Sequence, residues 1–459
     1  MFETIEIPLW TVWLAGILAV VGLLDRILMP TVRWYLRRRM NKAIGILNQK
    51  LQLKIQPFKL TKRRIMVDRL AYDPQVIDAI VEHSRTEGVP YPVAEHMAYR
   101  YANEIVPSFS ALGYFGFAIK LTRWLSRALY RVRLGYVDEA ALKAIDPDAT
   151  VVFVMNHRSN MDYILVTYLA ASRSALSYAV GEWARVWPLK QIIRSMGAYF
   201  IRRKSRNQLY RRVLARYVQM ATEAGVAQAM FPEGGLSRDG KLKPAKLGLL
   251  SYMVAGFDPE TSRNICFVPV GLNYDRVLED RVLLAADKGK KTGTFFKIYT
   301  FLRFVLRYIV LRITGKFYRF GYASVSFGTP LSYKAFLKSH GQRKHQAITK
   351  ALGKELMHRV GKVIPILPAS LVARVFLTNQ KTTLTKQAVI QKCQLALDRL
   401  LKNGAYMHIP KKNFEYAVEV GLRMFVLRHA IKKKGETYRI NPKEVQLMTY
   451  YANAIAHLG

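Results

Sequence analysis

From Ala149 to Pro330 the chain alternates short runs of β-branched and aromatic residues with helical stretches, and few folds accept that rhythm. Six runs read as strands: "TVVFVMNH", "LSYAVGEW", "AYFIRR", "VAQAMFPEGG", "NICFVPVGLNY" and "ASVSFGTP". Stretches such as "DYILVTYLAAS" and "RNQLYRRVLARYVQMATEAG" read as the helices between them. Strand–helix alternation predicts an α/β sheet with helical crossovers. The charged stretches fall where strands end, which is the edge where open α/β sheets bind ligands.

Outside this block the sequence reads as helical. Ile7 to Leu24 carries no charge. Eighteen residues at roughly 1.5 Å each reach about 27 Å, enough to cross a hydrocarbon core. Twelve basic residues and one acid follow between Thr31 and Leu70. The positive-inside rule then predicts one N-terminal anchor over 1–28, with the rest of the chain facing the cytoplasm. A basic helical membrane-proximal region is expected over 29–148 and a helical C-terminal region over 336–459. The apolar stretch 294–313, with four cations, fits an interfacial or docking helix rather than a spanning one.

Net charge is +41, and such a surface seeks polyanions: nucleic acid, anionic lipid or phosphorylated ligands. No nucleic-acid-reading module organises the basic residues, so nucleic acid is not expected as a partner and anionic membrane lipid is. The two cysteines, Cys266 and Cys393, lie far apart, giving no disulfide framework and no metal-ligand spacing. In "FSALGYFGFAIKLTRWLSRALYRVRLG", Lys120, Arg123, Arg127 and Arg131 share one helical face. That segment suits either a helix lying in the membrane interface or an amphipathic helix packed on the next domain.

Four stretches could carry chemistry. In "NHRSNMD", His157 stands at a strand's exit and Asp162 on the first turn of the next helix. Ser159 followed three residues later by an acid resembles a capping box. The competing reading is a general base with its orienting carboxylate, Asp162 accepting from Nδ1–H and leaving Nε2 free. In "GAYFIRR", Arg202 and Arg203 bring planar donors to the sheet edge, suited to phosphate. In "FPEGGLSRDGKL", Gly234 and Gly235 let backbone approach a ligand, Glu233 offers an acceptor for a polyol hydroxyl, and Arg238 adds charge. "FVPVGLNYDRV" is a strand running into a polar loop.

In this order the four stretches resemble the glycerolipid acyltransferase superfamily, and within it the glycerol-3-phosphate acyltransferase branch. "HRSNMDY", "GAYFIRR", "EGGLSRDGKL" and "VPVGLNYD" are similar to that branch's four blocks, over roughly residues 110–335. The resemblance implies a mixed central sheet with helices on its faces and a catalytic domain over 149–335. It implies His157 and Asp162 as the catalytic pair, and Arg158, Ser159, Arg202, Arg203, Glu233, Gly234, Gly235, Ser237 and Arg238 as the substrate-binding set. The implied reaction moves an acyl group from acyl-CoA or acyl-acyl carrier protein to the sn-1 hydroxyl of glycerol 3-phosphate, with no metal or cofactor, at a cell's inner membrane. One departure stands out: the branch's third block has arginine after the second glycine, and here it is Leu236. Pro232 resembles the lysophosphatidate branch instead. Lysophosphatidate or dihydroxyacetone phosphate as acceptor, and a membrane-tethered polyanion-binding protein, are the rival readings.

Overall fold

A computed structural model describes residues 8–11, 13, 16, 53–170, 175–181, 189–202, 205–288, 320–341, 344–407 and 413–459. The expected anchor over 1–28 lies almost wholly outside these residues, as do the 294–313 segment and Arg203. Among the described residues no helix is long and apolar enough to cross a membrane. Contacts divide the chain into 1–55 and 56–459, and the description below concerns the second unit.

After a one-turn helix, Pro57–Leu60, come three longer ones: Arg63–Ala71, Pro74–Glu87 and Tyr91–Ile105. Asp73 caps the second by accepting from Gln75, and Gly88 ends it in the left-handed region. A π-helical stretch, Leu112–Ala118, runs into the Ile119–Leu129 helix. The sheet then begins with β1 (Arg131–Val137), followed by β2 (Thr150–Met155), β3 (Ser177–Gly181), β4 (Tyr199–Ile201), β5 (Gln228–Met230), β6 (Ile265–Tyr274), β7 (Tyr322–Phe327) and β8 (Leu331–Ser332). Their order is β1-β7-β6-β2-β5-β3-β4, with β8 paired to β6. The run β6-β2-β5-β3-β4 is parallel, whereas β7 and β8 pair with β6 antiparallel. The sheet is therefore mixed. Every residue of β2 and β6 is buried, as expected of central strands covered on both faces.

Two expectations need correction. Arg131 does not extend the basic helix; the helix ends at Leu129 and Arg131 opens β1, paired with Tyr322 of β7. The boundary at 148 therefore cuts off an edge strand, because "RVRLGYV" alternates charge and apolarity too weakly to stand out from the helix before it. The C-terminal region is also not wholly helical. It holds a second sheet of β9 (Leu384–Thr385), β10 (Ile431–Lys434) and β11 (Thr437–Ile440), in the order β10-β11-β9. Four residue pairs of "IKKKGETYRI" form across a turn at Gly435, and three lysines in β10 hide that hairpin from a pattern search.

The C-terminal region is bound tightly to the main sheet. The His345–Val363 helix lies against β6. Asp275, just past β6, accepts from the amides of Tyr322 and Ala369. Buried Asp280 takes both ends of the Arg428 guanidinium, at 2.6 and 2.9 Å, and the Tyr451 hydroxyl at 2.6 Å.

Candidate active site

The chain leaves β2 between two parallel neighbours, β5 and β6. After β2 the chain builds β3, β4 and β5 on one side and returns to place β6 on the other. The loop after β2 therefore sits at a topological switch point. Asn156 steers it: its amide donates to the Leu272 carbonyl at 2.9 Å and accepts from the Leu272 amide at 2.8 Å, continuing the ladder by one side chain.

His157 follows, 1 % exposed, and its Nδ1–H donates to Asp162 Oδ2 at 2.9 Å. The ionised carboxylate can only accept, which fixes the tautomer and leaves Nε2 as the basic nitrogen. The same Oδ2 accepts from the amides of Arg158 (2.7 Å) and Ser159 (3.0 Å), and Oδ1 accepts from the Tyr274 hydroxyl at 2.7 Å. Ser159 Oγ in turn accepts from the Met161 amide at the start of the Met161–Ala170 helix. Capping and steering are thus not alternatives. One carboxylate does both, because the helix start lies beside the histidine ring.

The imidazole is walled by aromatics. Phe231, just past β5, stacks on it at 4.1 Å between centroids, and Tyr163 meets it edge-on at 5.5 Å. Glu233 approaches from the same loop. Its Oε1 accepts from the His157 amide (2.8 Å) and its Oε2 from the Lys243 amide (3.2 Å). Burial pushes this carboxyl up to about 7. Glu233 is therefore a clamp between two backbones, and its two oxygens are already engaged without a polyol hydroxyl. The Ser237 amide closes the loop onto the His157 carbonyl at 3.0 Å.

Gly234 lies at φ +70°, and a Cβ there would come within 2.6 Å of Lys246 Cδ. The missing side chain lets the Lys246 stem cross the loop beside the site. Arg238, Lys241 and Lys246 are exposed. Gly235 lies in the same loop, partly buried.

Other expected residues are placed differently. Arg158 is 3 % exposed and turned inward, its Nη1 donating to the Gly240 carbonyl and its guanidinium 5.2 Å over the Tyr450 ring. Ser159 donates to Glu279 at 2.8 Å. Both hold the loop through these bonds, while Arg158 Nε and Nη2 are buried without a hydrogen-bond partner among the described residues. Arg202 stands beyond β4, three strand steps from β2, or about 14 Å. Its Nε and Nη2 are held by Glu104 at 2.9 and 2.5 Å, and Tyr101 and Tyr210 flank it. It is not brought into contact with His157. The positions that the sequence did not single out are Tyr274, Glu104 and Lys246. For Tyr274 a signal existed, because it ends the fully buried β6 beside β2.

A family model described as acyltransferase matches residues 137–273, and one described as glycerol-3-phosphate acyltransferase C-terminal region matches residues 309–458. The glycerol-3-phosphate acyltransferase of Pseudomonas entomophila is 27 % identical over 420 residues, covering 87 % of this chain and 49 % of that protein. Those of Haemophilus ducreyi (27 %, covering 87 % and 50 %) and Pseudomonas aeruginosa (28 %, covering 92 % and 51 %) are similar. The chain thus spans about half the length of the curated relatives it matches. A crystal structure of the 1-acyl-sn-glycerophosphate acyltransferase of Thermotoga maritima aligns with 64 % of this chain and 97 % of its own, at 15 % identity and TM-score 0.30.

Proposed function

The chain belongs to the glycerol-3-phosphate acyltransferase family of the acyltransferase superfamily, and on that premise we propose that it moves a fatty acyl group from a thioester to the sn-1 hydroxyl of glycerol 3-phosphate. The observation that carries the reading is the His157–Asp162 pair at the switch point of the sheet, with Asp162 held by four hydrogen bonds.

His157 Nε2 takes the proton from the acceptor hydroxyl as that oxygen attacks the thioester carbonyl. The C–S bond then breaks, and the imidazolium returns the proton to the departing sulfur. Asp162 holds the ring and stabilises its positive charge without taking the proton itself. Base catalysis of this kind supplies about 10²- to 10⁴-fold, so positioning and oxyanion stabilisation supply the rest. The amides of Gly235 and Leu236, beside the clamped Glu233, are the donors we assign to the oxyanion. Glu233 acts at one remove, by fixing the loop on the base.

The acceptor's phosphate needs cations near that base. Arg238, Lys243 and Lys246 belong to the loop that Glu233 and Ser237 seat on His157. We assign the phosphate to them, with Arg202 as a more distant contributor. This compensates for Leu236. The donor is a polyphosphorylated acyl-CoA or an acidic acyl carrier protein, and a +41 chain suits both. The apolar 7–24 segment and the basic residues after it support a single anchor in the cell's inner membrane, with the catalytic unit on the cytoplasmic side.

The test is direct. Membranes bearing the chain are incubated with labelled glycerol 3-phosphate and palmitoyl-CoA or palmitoyl-acyl carrier protein. Labelled 1-acyl lysophosphatidate is expected; no labelled lipid from either donor, or acylation of added lysophosphatidate alone, overturns the reading.

A further inference from the structure

Two adjacent tyrosines near the end of the Val445–Ala452 helix are used in opposite ways. Tyr451 engages its hydroxyl fully. It donates to Asp280 Oδ2 at 2.6 Å and accepts from the Val277 amide and Arg428 Nη1, both at 3.0 Å. Tyr450 is as deeply buried, yet its hydroxyl has no hydrogen-bond partner among the described residues. Burying a hydroxyl in that state is unfavourable. What Tyr450 offers instead is its ring. The group lying over that ring, 5.2 Å from the centroid, is the Arg158 guanidinium.

Arg158 follows the base directly in sequence and joins three segments. Its amide donates to Asp162 Oδ2 at 2.7 Å, the same oxygen that His157 holds. Its side chain reaches the Gly240 carbonyl and the Tyr450 ring, with Nε and Nη2 buried and without a hydrogen-bond partner among the described residues. A guanidinium taken this far out of water needs its charge offset. The ring face supplies one offset, the Gly240 carbonyl a second and the neighbouring Glu233 carboxyl a third. Without the ring the guanidinium loses the surface that fixes its rotamer, and the Arg158 backbone is held less firmly. The loop at Gly240 is less sensitive, because it meets the Tyr450 main-chain carbonyl, which a side-chain truncation leaves in place. We propose that Tyr450 is a positioning residue for acyl transfer: its ring fixes the Arg158 guanidinium, and thereby the Arg158 amide that orients Asp162 beside His157. The C-terminal region thus takes part in catalysis through one ring. The proposal rests on the acyl-transfer reading for its kinetic measurements alone.

The test uses the purified full chain carrying Tyr450→Leu, Tyr450→Phe or Met448→Ala. Met448 is fully buried on the same helix and serves as the matched truncation. Tyr450→Leu should lower kcat roughly ten- to a hundredfold and leave the KM of acceptor and donor within about twofold. Tyr450→Phe should restore kcat and melt no lower than the parent, because it keeps the ring and removes only the unpartnered hydroxyl. Met448→Ala should lower the melting temperature while kcat, measured well below that melt, stays at the parent value. Hydrogen exchange in a peptide covering 156–162, read by mass spectrometry, should quicken roughly tenfold in Tyr450→Leu and match the parent in the other two. Arg158→Met leaves the C-terminal helix intact and should give the same losses. Adding Tyr450→Leu to it should make them no worse. Arg158→Met also decides the matter where Tyr450→Leu does not fold. Parent kcat and parent exchange in Tyr450→Leu, or in Arg158→Met where that variant stands in, overturn the proposal. So do additive losses in the double variant, or a Met448→Ala loss of kcat equal to that of Tyr450→Leu, which would make the contact general packing. A parent chain that forms no labelled lipid overturns the acyl-transfer reading instead, and the exchange comparison still decides the contact.

Discussion

The Tyr274 hydroxyl donates to Asp162 Oδ1 at 2.7 Å while His157 holds Oδ2 at 2.9 Å. The tyrosine is fully buried at the end of β6, so the bond is shielded from water. A hydrogen bond to a charged group of this kind is worth about 1.5–3 kcal/mol. Tyr274→Phe keeps the ring and removes the bond. Its kcat should fall roughly 10- to 100-fold with both KM values nearly unchanged. Without that donor, Asp162 becomes a stronger acceptor for the imidazolium. The acid limb of the pH–rate profile should therefore move to higher pH. A profile that keeps its shape and only loses amplitude would leave Tyr274 a packing residue.

His157→Ala should abolish transfer while the melting temperature stays close to that of the parent chain. Asp162→Asn should be damaging twice over. It misplaces the ring, and it gives one oxygen's place to a donor that cannot accept the Arg158 and Ser159 amides. Its melting temperature should fall, unlike that of His157→Ala. Circular dichroism melts of both variants check this.

Glu233 makes stability depend on pH. Its folded value of about 7 lies above the ordinary 4.5, and burial is the main cause. The folded chain therefore holds that proton more tightly than the unfolded chain. The contribution is most favourable below about 4.5 and is lost as pH rises toward 7, a change on the order of 3 kcal/mol. Glu233→Gln does not titrate. It should be less stable than the parent at pH 5, and the gap in melting temperature should narrow by pH 8. A gap that widens instead would reverse the sign.

Lys246→Ala should raise the KM for glycerol 3-phosphate several-fold and leave the KM for the acyl donor unchanged. The Lys246 stem crosses Gly234, next to the clamped Glu233, so its charge sits at the rim of the site. Equal effects on both KM values, or none on the acceptor, would remove it from the phosphate contacts.

Much of this was legible in sequence, for identifiable reasons. The six β-rich runs became β2 to β7; β2, β3, β5 and β6 lie inside the sheet, where strands covered on both faces must be apolar, which leaves little room for other patterns. β1 and β10 escaped because edge strands tolerate arginine and lysine. His157 and Asp162 were legible because their partnership is local, five residues apart. The roles of Glu104 and Lys246 depend on contacts between separated segments, and spacing along a chain carries no trace of those; for Tyr274 the one hint was its place at the end of a fully buried strand. Glu233 was visible as a residue, but only the fold shows it facing two amides.

Removing one member of a buried ion pair leaves the other charged and unmatched, at roughly 3–5 kcal/mol. Arg428→Ala should do this to Asp280, which is 2 % exposed. The loss should reach the active site, because Glu279, adjacent in sequence, accepts from Ser159. A melt showing a lowered transition together with reduced kcat is expected. An unchanged transition would mean that the pair contributes little.

Gly240, at φ +84°, has no room for a Cβ because the Tyr450 carbonyl occupies that space, and the Asn453 amide reaches the Asp239 carbonyl at 2.8 Å. The loop that bears Arg238 is thus seated by residues some two hundred positions downstream. At roughly 5–20 residues per second, a ribosome needs about 10–40 s to make that stretch. Until that stretch is made, the loop lacks the carbonyl and the side-chain amide that seat it.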